Sequence, residues 1–217
     1  MKLLINIIIL SLLATSCNSK KEEPTDVYAK PETTAVSNLK AIDTDEALVA
    51  TALMAAPEVS RDSATVIGYN TKGEFVTFRE GTNEFIVLVD DSGKDGFSAA
   101  CYHKDLEPFM ARGRELRADG KSRDEIFTIR GAEMASGDLS IPTGTTLHIY
   151  YGPETNYDSK TNKVDQAILR YVVYLPYATA ASTGLPEQPI AANHPWIMNP
   201  GTHRAHIMIS PLASNLE

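Results

Sequence analysis

The sequence predicts an α+β domain in which an antiparallel β-sheet carries a few helices on one face. Two observations predict this class. Segments that alternate β-branched or aromatic residues with polar residues occur in two blocks, over 63–90 and 145–210. Between the blocks lie two segments whose apolar residues recur at helical spacing. Strands that are grouped apart from helices are typical of the α+β class.

The elements can be predicted in chain order. A capped, Ala-rich helix begins at Thr44 and ends at Pro57. A three-stranded antiparallel meander follows, with strands over 63–69, 74–79 and 84–90.

Helical spacing resumes in the middle of the chain and strand patterning returns in its last third. We predict helices over 104–116 and 122–134. The last strands are predicted over 145–151, 167–175 and 206–210. The proline-rich segment before the last of them is predicted to be irregular.

An export signal precedes the domain. Met1 and Lys2 are followed by a twelve-residue, mostly apolar run, 3–14, which is shorter than the roughly 20 residues that span a bilayer. Small residues then lead into Cys17, and this arrangement resembles the lipobox of bacterial lipoproteins. The resemblance implies that residues 1–16 are a signal peptide and that the sulfur of Cys17 carries a lipid.

Three segments are therefore expected. After the signal peptide, residues 17–40 are rich in Pro, Thr and Ser and poor in large apolar side chains, which predicts a flexible tether. Residues 41–217 are long enough to form a single globular domain.

The acylated Cys17 predicts a membrane partner and a location in the cell envelope. Acyl chains hold a protein on a bilayer by burying methylene groups. The run Lys20, Lys21, Glu22 and Glu23 resembles a tag that sends some lipoproteins to the cell surface, but it also suits a solvated tether. The sequence therefore leaves two possible locations, the periplasmic face of the outer membrane and the cell surface.

The charge of the chain excludes nucleic acid as an expected partner. Loss of residues 1–16 removes Lys2 and leaves 19 basic against 28 acidic residues, a net charge of −9. Nucleic-acid binding depends on clustered basic side chains that release counterions from phosphates.

Several short motifs resemble a family of small exported bacterial proteins that has no assigned activity. They are Ala56-Pro57 running on to Ala64-Thr65-Val66, Arg79-Glu80-Gly81-Thr82-Asn83, a helix opening at Cys101, Tyr171 to Leu175, and Ala205 to Ile209 before Pro211. The resemblance spans most of residues 50–211 and implies an exported α+β domain. Where the pattern has a second cysteine, this chain has Ile86-Val87-Leu88, so Cys101 lacks that partner.

Histidines supply one chemical hypothesis. His194, His203 and His206 lie close in sequence, and three protein ligands with an open position are typical of catalytic zinc sites. His203 and His206, at odd spacing across a strand start, would point to opposite faces, which argues against the hypothesis. In the strand that begins at His206, Ile207 and Ile209 are expected to face the core, so His206 and Met208 point to the other sheet face. There His206 either lines an open surface or is a buried core histidine. No dinucleotide or phosphate-loop fingerprint occurs, so the cofactor stays unknown.

Aromatic residues supply the other hypothesis. Tyr151, Tyr157 and Trp196 adjoin predicted loops, and such side chains suit protein interfaces and carbohydrate faces. Equally, they can be half-buried strand residues. The sequence thus predicts an outer-membrane or cell-surface lipoprotein that is a binding or structural module, with a protein or glycan as partner. The alternative is a metal-assisted envelope hydrolase that uses the three histidines.

Overall fold

A computed structural model describes residues 38–191 and 193–210. The predicted signal peptide, Cys17 and all but the end of the predicted tether lie outside these residues. Within them, no helix is both long and apolar enough to span a membrane.

The described residues form ten β-strands and four α-helices, and short 3₁₀ segments join some of them. The strands are β1 (Leu39–Ala41), β2 (Thr65–Tyr69), β3 (Phe75–Arg79), β4 (Phe85–Leu88), β5 (Phe97–His103), β6 (Thr146–Gly152), β7 (Asn156–Asp158), β8 (Ile168–Tyr174), β9 (Trp196–Met198) and β10 (His206–Ile209). The helices are α1 (Asp45–Ala52), α2 (Glu107–Ala118), α3 (Arg123–Ser136) and α4 (Ala180–Thr183).

The α+β class is confirmed. Eight strands form one sheet in the order β3-β2-β4-β5-β6-β8-β10-β9, and every neighbouring pair except β2–β4 is antiparallel. The remaining strands, β1 and β7, pair with each other, so the first described strand overlaps the end of the predicted tether.

Helices cover both faces of the sheet. In β5, Phe97, Ala99 and Cys101 point toward the core that α1 caps, whereas Tyr102 points toward the core that contains Leu106 and residues of α2. We call these the α1 face and the α2–α3 face. The sequence placed all helices on one face, since strand alternation alone does not show which helix packs on which side.

Three local predictions are wrong. The proline-rich segment between β8 and β10 is not irregular throughout, because residues 180–183 form α4 and residues 196–198, between Pro195 and Pro200, pair with β10 as the edge strand β9, where flanking prolines are tolerated. The segment 84–90 does not complete a meander, because β4 pairs with β2 in parallel. Cys101 does not open a helix but lies in the middle of β5, and the following helix begins at Glu107.

The parallel pairing follows from the loop between β3 and β4. This loop returns to the start of β2, where the backbone N–H groups of Thr82 and Asn83 both donate to the Ser63 carbonyl, at 2.8 and 3.1 Å. Arg79 donates to the Ala64 carbonyl, and a Cβ at Gly81 would collide with the backbone of Ala64 and Thr65. The Arg-Glu-Gly-Thr-Asn motif is therefore explained by chain packing.

Candidate functional site: an arginine cleft between two helices and the sheet

A cavity of about 420 Å³ lies between α2, α3 and the sheet. We call it the arginine cleft, after the five of the chain's nine arginines that line it: Arg114, Arg117, Arg123, Arg130 and Arg204. Its other walls are mainly Leu88, Phe109, Met110, Ile126, Leu147 and Tyr174. No Asp or Glu is among its described lining residues. A positive cavity of this size in an acidic chain needs a physical explanation.

Three elements bring the arginines together. Arg114 and Arg117 are three residues apart on α2, so they share one side of that helix. Arg123 and Arg130 are two turns apart on α3, whose first turn is fixed by a capping box between Ser122 and Glu125. Arg204 comes from the turn that precedes β10.

Arg130 is the most deeply buried of the five. Only 9% of its surface is exposed. Its Nη1 donates to the Phe109 carbonyl at 3.1 Å, and its guanidinium carbon lies 3.9 Å from the centre of the Phe109 ring. Its Nε is buried and has no hydrogen-bond partner among the described residues. No carboxylate of residues 38–191 or 193–210 forms an ion pair with it.

Burial and repulsion both act against the charge of Arg130. Burial, followed by the charge of Arg204, lowers the pKa of Arg130 to about 10. The carboxylate of Glu133 has an opposing but weaker effect. Glu133 is bound by Arg112 instead, with Nη2 of Arg112 2.6 Å from Oε1. A buried, uncompensated guanidinium destabilises a fold unless an anion completes it.

Arg204 adds a second guanidinium beside Arg130, and the His203 ring packs next to both arginines. The His203 ring packs on Phe127, with the centroids 4.6 Å apart, and Arg204 lies 5.9 Å from the centre of the same ring. Nε of Arg204 and Nε2 of His203 are buried without a partner among the described residues. Burial, Arg130 and Arg204 lower the pKa of His203 to about 4. Three of the four orphaned buried side-chain atoms described therefore belong to this cluster.

Two glycines inside helices make room for these side chains. A Cβ at Gly113 of α2 would lie 2.9 Å from Nη1 of Arg130, and a Cβ at Gly131 of α3 would lie 3.0 Å from Nδ1 of His203. Glycine in a helix interior costs about 1 kcal/mol relative to alanine. The two helices thus lose intrinsic stability where Arg130 and His203 pack against them.

Arg114 has a different role from Arg130. Its guanidinium pairs with Glu107, and the buried Tyr102 hydroxyl donates to the same carboxylate at 2.6 Å. Arg114 is therefore already neutralised and fixes α2 against the sheet. Arg117, Arg123, Arg130 and Arg204 form no ion pair within the described part of the chain.

The three histidines of the metal hypothesis have separate surroundings. His194 is half-buried in the proline-rich loop, with Nδ1 2.7 Å from the Pro195 carbonyl. His206 is buried in β10, with Nδ1 2.8 Å from the Arg204 carbonyl and its ring against Tyr174. In the part of the chain that the structure describes, no three His, Cys, Asp or Glu side chains are arranged to hold a metal ion.

Cys101 is a buried thiol. It is fully buried on the α1 face, and burial raises its pKa to about 12, so it is protonated at neutral pH. His206 lies on the opposite face of the sheet. The cross-strand neighbour of Cys101 is His148, whose own pKa is lowered by burial. A neutral thiol beside a neutral imidazole is typical of side chains packed in a protein core.

The three aromatic candidates do not meet in one site. Tyr151 lies in β6 with the guanidinium of Arg170 4.6 Å from its ring centre. Tyr157 lies in β7 and packs on the α1-face core, whereas Trp196 lies in β9 and packs on the α2–α3-face core. All three are half-buried, and none lines the arginine cleft.

Sequence reasoning missed the arginine cleft, although two signals were present. The arginines at 114, 117, 123 and 130 repeat at helical spacing in a strongly acidic chain. Gly113 and Gly131 interrupt the two helices without ending them. Neither signal identifies a cleft until the fold places Arg204 beside Arg130.

Comparison with known proteins gives this site no precedent. No family model, curated protein or solved structure matches the chain.

Proposed function

We propose that the domain is a binding module of the cell envelope whose ligand carries an anionic group, held in the arginine cleft. The observation that carries this proposal is the buried Arg130, which has no carboxylate partner among the described residues. A carboxylate, phosphate or sulfate beside Arg130 and Arg204 would compensate both guanidinium charges and remove their mutual repulsion. Guanidinium groups suit such anions because they donate paired hydrogen bonds in one plane.

The size and walls of the cleft support a small ligand. About 420 Å³ falls within the usual range for small-molecule sites, roughly 300–1,000 Å³. Apolar walls such as Leu88 and Leu147 raise the strength of charge interactions by excluding water. The arrangement offers charge and shape for binding, and its described lining residues include no nucleophile–base pair.

Binding of simple anions tests the proposal. We expect inorganic phosphate or sulfate to raise the melting temperature of the lipid-free chain more than chloride of equal ionic strength. In Arg130→Gln this anion-specific increase should fall by most of its value. Differential scanning fluorimetry and isothermal titration calorimetry measure it.

Arg61→Gln is the matched control. Arg61 lines a separate cavity beside α1 and forms no ion pair with a described residue. It reports the general effect of losing one arginine, including the sulfate effect common to all proteins. Equal anion responses in Arg130→Gln, Arg61→Gln and the unaltered protein would contradict the proposal.

The envelope location rests on Cys17, which lies outside the described residues. The lipobox-like signal and the resemblance to exported bacterial proteins support it. We expect labelled palmitate to enter the full-length protein and the protein to sediment with membranes. Cys17→Ala should abolish both, with Cys101→Ala as the control that retains them because Cys101 is buried. Labelling that persists in Cys17→Ala would contradict acylation at this residue.

A further inference from the structure

A second cavity, of about 260 Å³, adjoins the arginine cleft. Leu88, Arg114 and Arg117 line both cavities. The carboxylates of Asp90, Asp91 and Asp95 line the second cavity together with Lys94, Arg114 and Arg117. Lys94 pairs with Asp91 and Arg114 pairs with Glu107, so Asp90 is a carboxylate of this cavity without an ion pair among the described residues. A ligand that reaches both cavities would therefore meet the arginines at one end and Asp90 at the other.

Asp90 is the counterpart of Arg130 in the second cavity. It is 6% exposed and accepts a hydrogen bond from the backbone N–H of Ser98 at 2.9 Å, but it forms no ion pair with a described residue. The positive charge of Lys94 acts to lower the pKa of Asp90, but Lys94 forms its ion pair with Asp91. Burial raises the pKa of Asp90, and the hydrogen bonds that its carboxylate accepts from the backbone N–H groups of Ser98 and Asp91 offset only part of this effect.

Two buried charges of opposite sign thus line adjoining cavities, and each lacks an ion-pair partner in the described part of the chain. Arg130 and Asp90 do not pair with each other. A simple anion would satisfy only the basic end. A ligand with a carboxylate at one end and an ammonium group at the other would satisfy both, and its middle would pass Leu88 and the aliphatic stems of Arg114 and Arg117.

We infer that the ligand is a short peptide with free termini, bound with its carboxylate at Arg130 and Arg204 and its ammonium group at Asp90. This inference rests on the proposed function and names its ligand class. Small apolar residues suit the wall, which includes Leu88 and Ala100. An extended peptide spans roughly 3.3–3.6 Å per residue, so a length series measures the separation of the two charged ends.

Alanine peptides test the inference by calorimetry on the unaltered protein. Di-, tri- and tetra-alanine are titrated first, and the tightest binder is then compared with its N-acetyl and C-amide forms. We expect each blocked form to bind at least about tenfold more weakly than the free peptide, since each loses one desolvated charge pair.

Two variants test which residue binds each end of the peptide. In Asp90→Asn, which keeps an oxygen acceptor for the Ser98 N–H, acetylation should no longer weaken binding, while amidation still does. In Arg130→Gln the reverse should hold. Asp62→Asn is the control, since Asp62 lines a separate cavity beside α1, and it should retain both effects.

The outcomes separate this inference from the proposed function. If free and acetylated peptides bind equally while phosphate still binds through Arg130, the peptide inference is overturned and anion binding stands. If no alanine peptide binds, the peptide inference also fails. If phosphate and sulfate fail as well, both are overturned.

Discussion

Arg130→Met is expected to raise the stability of the ligand-free protein by about 1 to 2 kcal/mol. Burial and the charge of Arg204 lower the pKa of Arg130 from its ordinary value to about 10 in the fold, and at about 1.4 kcal/mol for each tenfold change in proton affinity the buried charge costs about 3 kcal/mol. Loss of the hydrogen bond to the Phe109 carbonyl and of the contact with the Phe109 ring offsets part of this gain. Methionine fills most of the same volume without the charge.

Urea denaturation in a buffer of chloride salts measures this change, since urea adds no competing ions. Arg61→Met is the control and should not stabilise the protein, because it removes the hydrogen bond from Arg61 to the Ala56 carbonyl and leaves the cleft unchanged. A saturating anion should reverse the order of stability, since ligand binding adds free energy only to the protein that binds it. If Arg130→Met is less stable than the unaltered protein without an anion, then Arg130 is a structural residue and the cleft is explained by packing.

A gain in stability on removing Arg130 would also explain why the two helices contain glycines. Gly113 gives space to the guanidinium of Arg130, and Gly131 gives space to the ring of His203. A residue that destabilises the fold and is accommodated by further destabilising residues is typical of binding sites. Ordinary core packing would instead select an apolar side chain at residue 130.

Much of the fold could be predicted from the sequence because periodicity reports it directly. The strands β2, β3, β6 and β8 and the helices α2 and α3 alternate or repeat strongly enough to be recognised. Strand β5 could not be recognised. It is central and packs on both faces, so its run Ala99, Ala100 and Cys101 has neither alternation nor β-branched residues.

The orientation of β10 shows a subtler limit. The sequence correctly placed Ile207 and Ile209 on the face opposite His206 and Met208, but hydrophobicity favoured the isoleucines as the core pair. In the structure His206 and Met208 are the buried pair, at 3% and 5% exposure. His206 is therefore the core histidine of the two alternatives, with its Nδ1 close to the Arg204 carbonyl. Periodicity assigns residues to faces and leaves open which face packs.

The arginine cleft could not be predicted from the sequence for a related reason. Its charge could be read from Arg114, Arg117, Arg123 and Arg130, but the function that we propose for it rests on Arg130 having no carboxylate partner among the described residues. Glu133 lies only three residues after Arg130, at a spacing that favours an ion pair. In the structure Glu133 binds Arg112 of α2 instead, and only the packing of the two helices decides this.

Lowering the pH from 7 to 5 is expected to destabilise the protein by about 2 kcal/mol through His203 alone. Burial, Arg130 and Arg204 lower its pKa to about 4 in the fold, whereas a histidine in the unfolded chain has a pKa of about 6.5. Between these values the unfolded chain takes up a proton that the folded chain does not, so stability falls as the pH falls toward 4. Lowered pKa values of His206 and His148 act in the same direction.

His203→Leu isolates this contribution. Urea denaturation at pH 7, 6 and 5 should show that the free energy of unfolding falls less steeply with pH in the variant. The difference in slope should correspond to about one proton fewer taken up on unfolding. Asp90 and the other histidines titrate equally in both proteins and do not contribute to this difference. Saturating sulfate, which does not titrate in this range, should also flatten the profile of the unaltered protein, since an anion between Arg130 and Arg204 raises the pKa of the neighbouring imidazole. Sulfate that leaves the His203 contribution unchanged would mean that the anion does not occupy the site beside these three side chains.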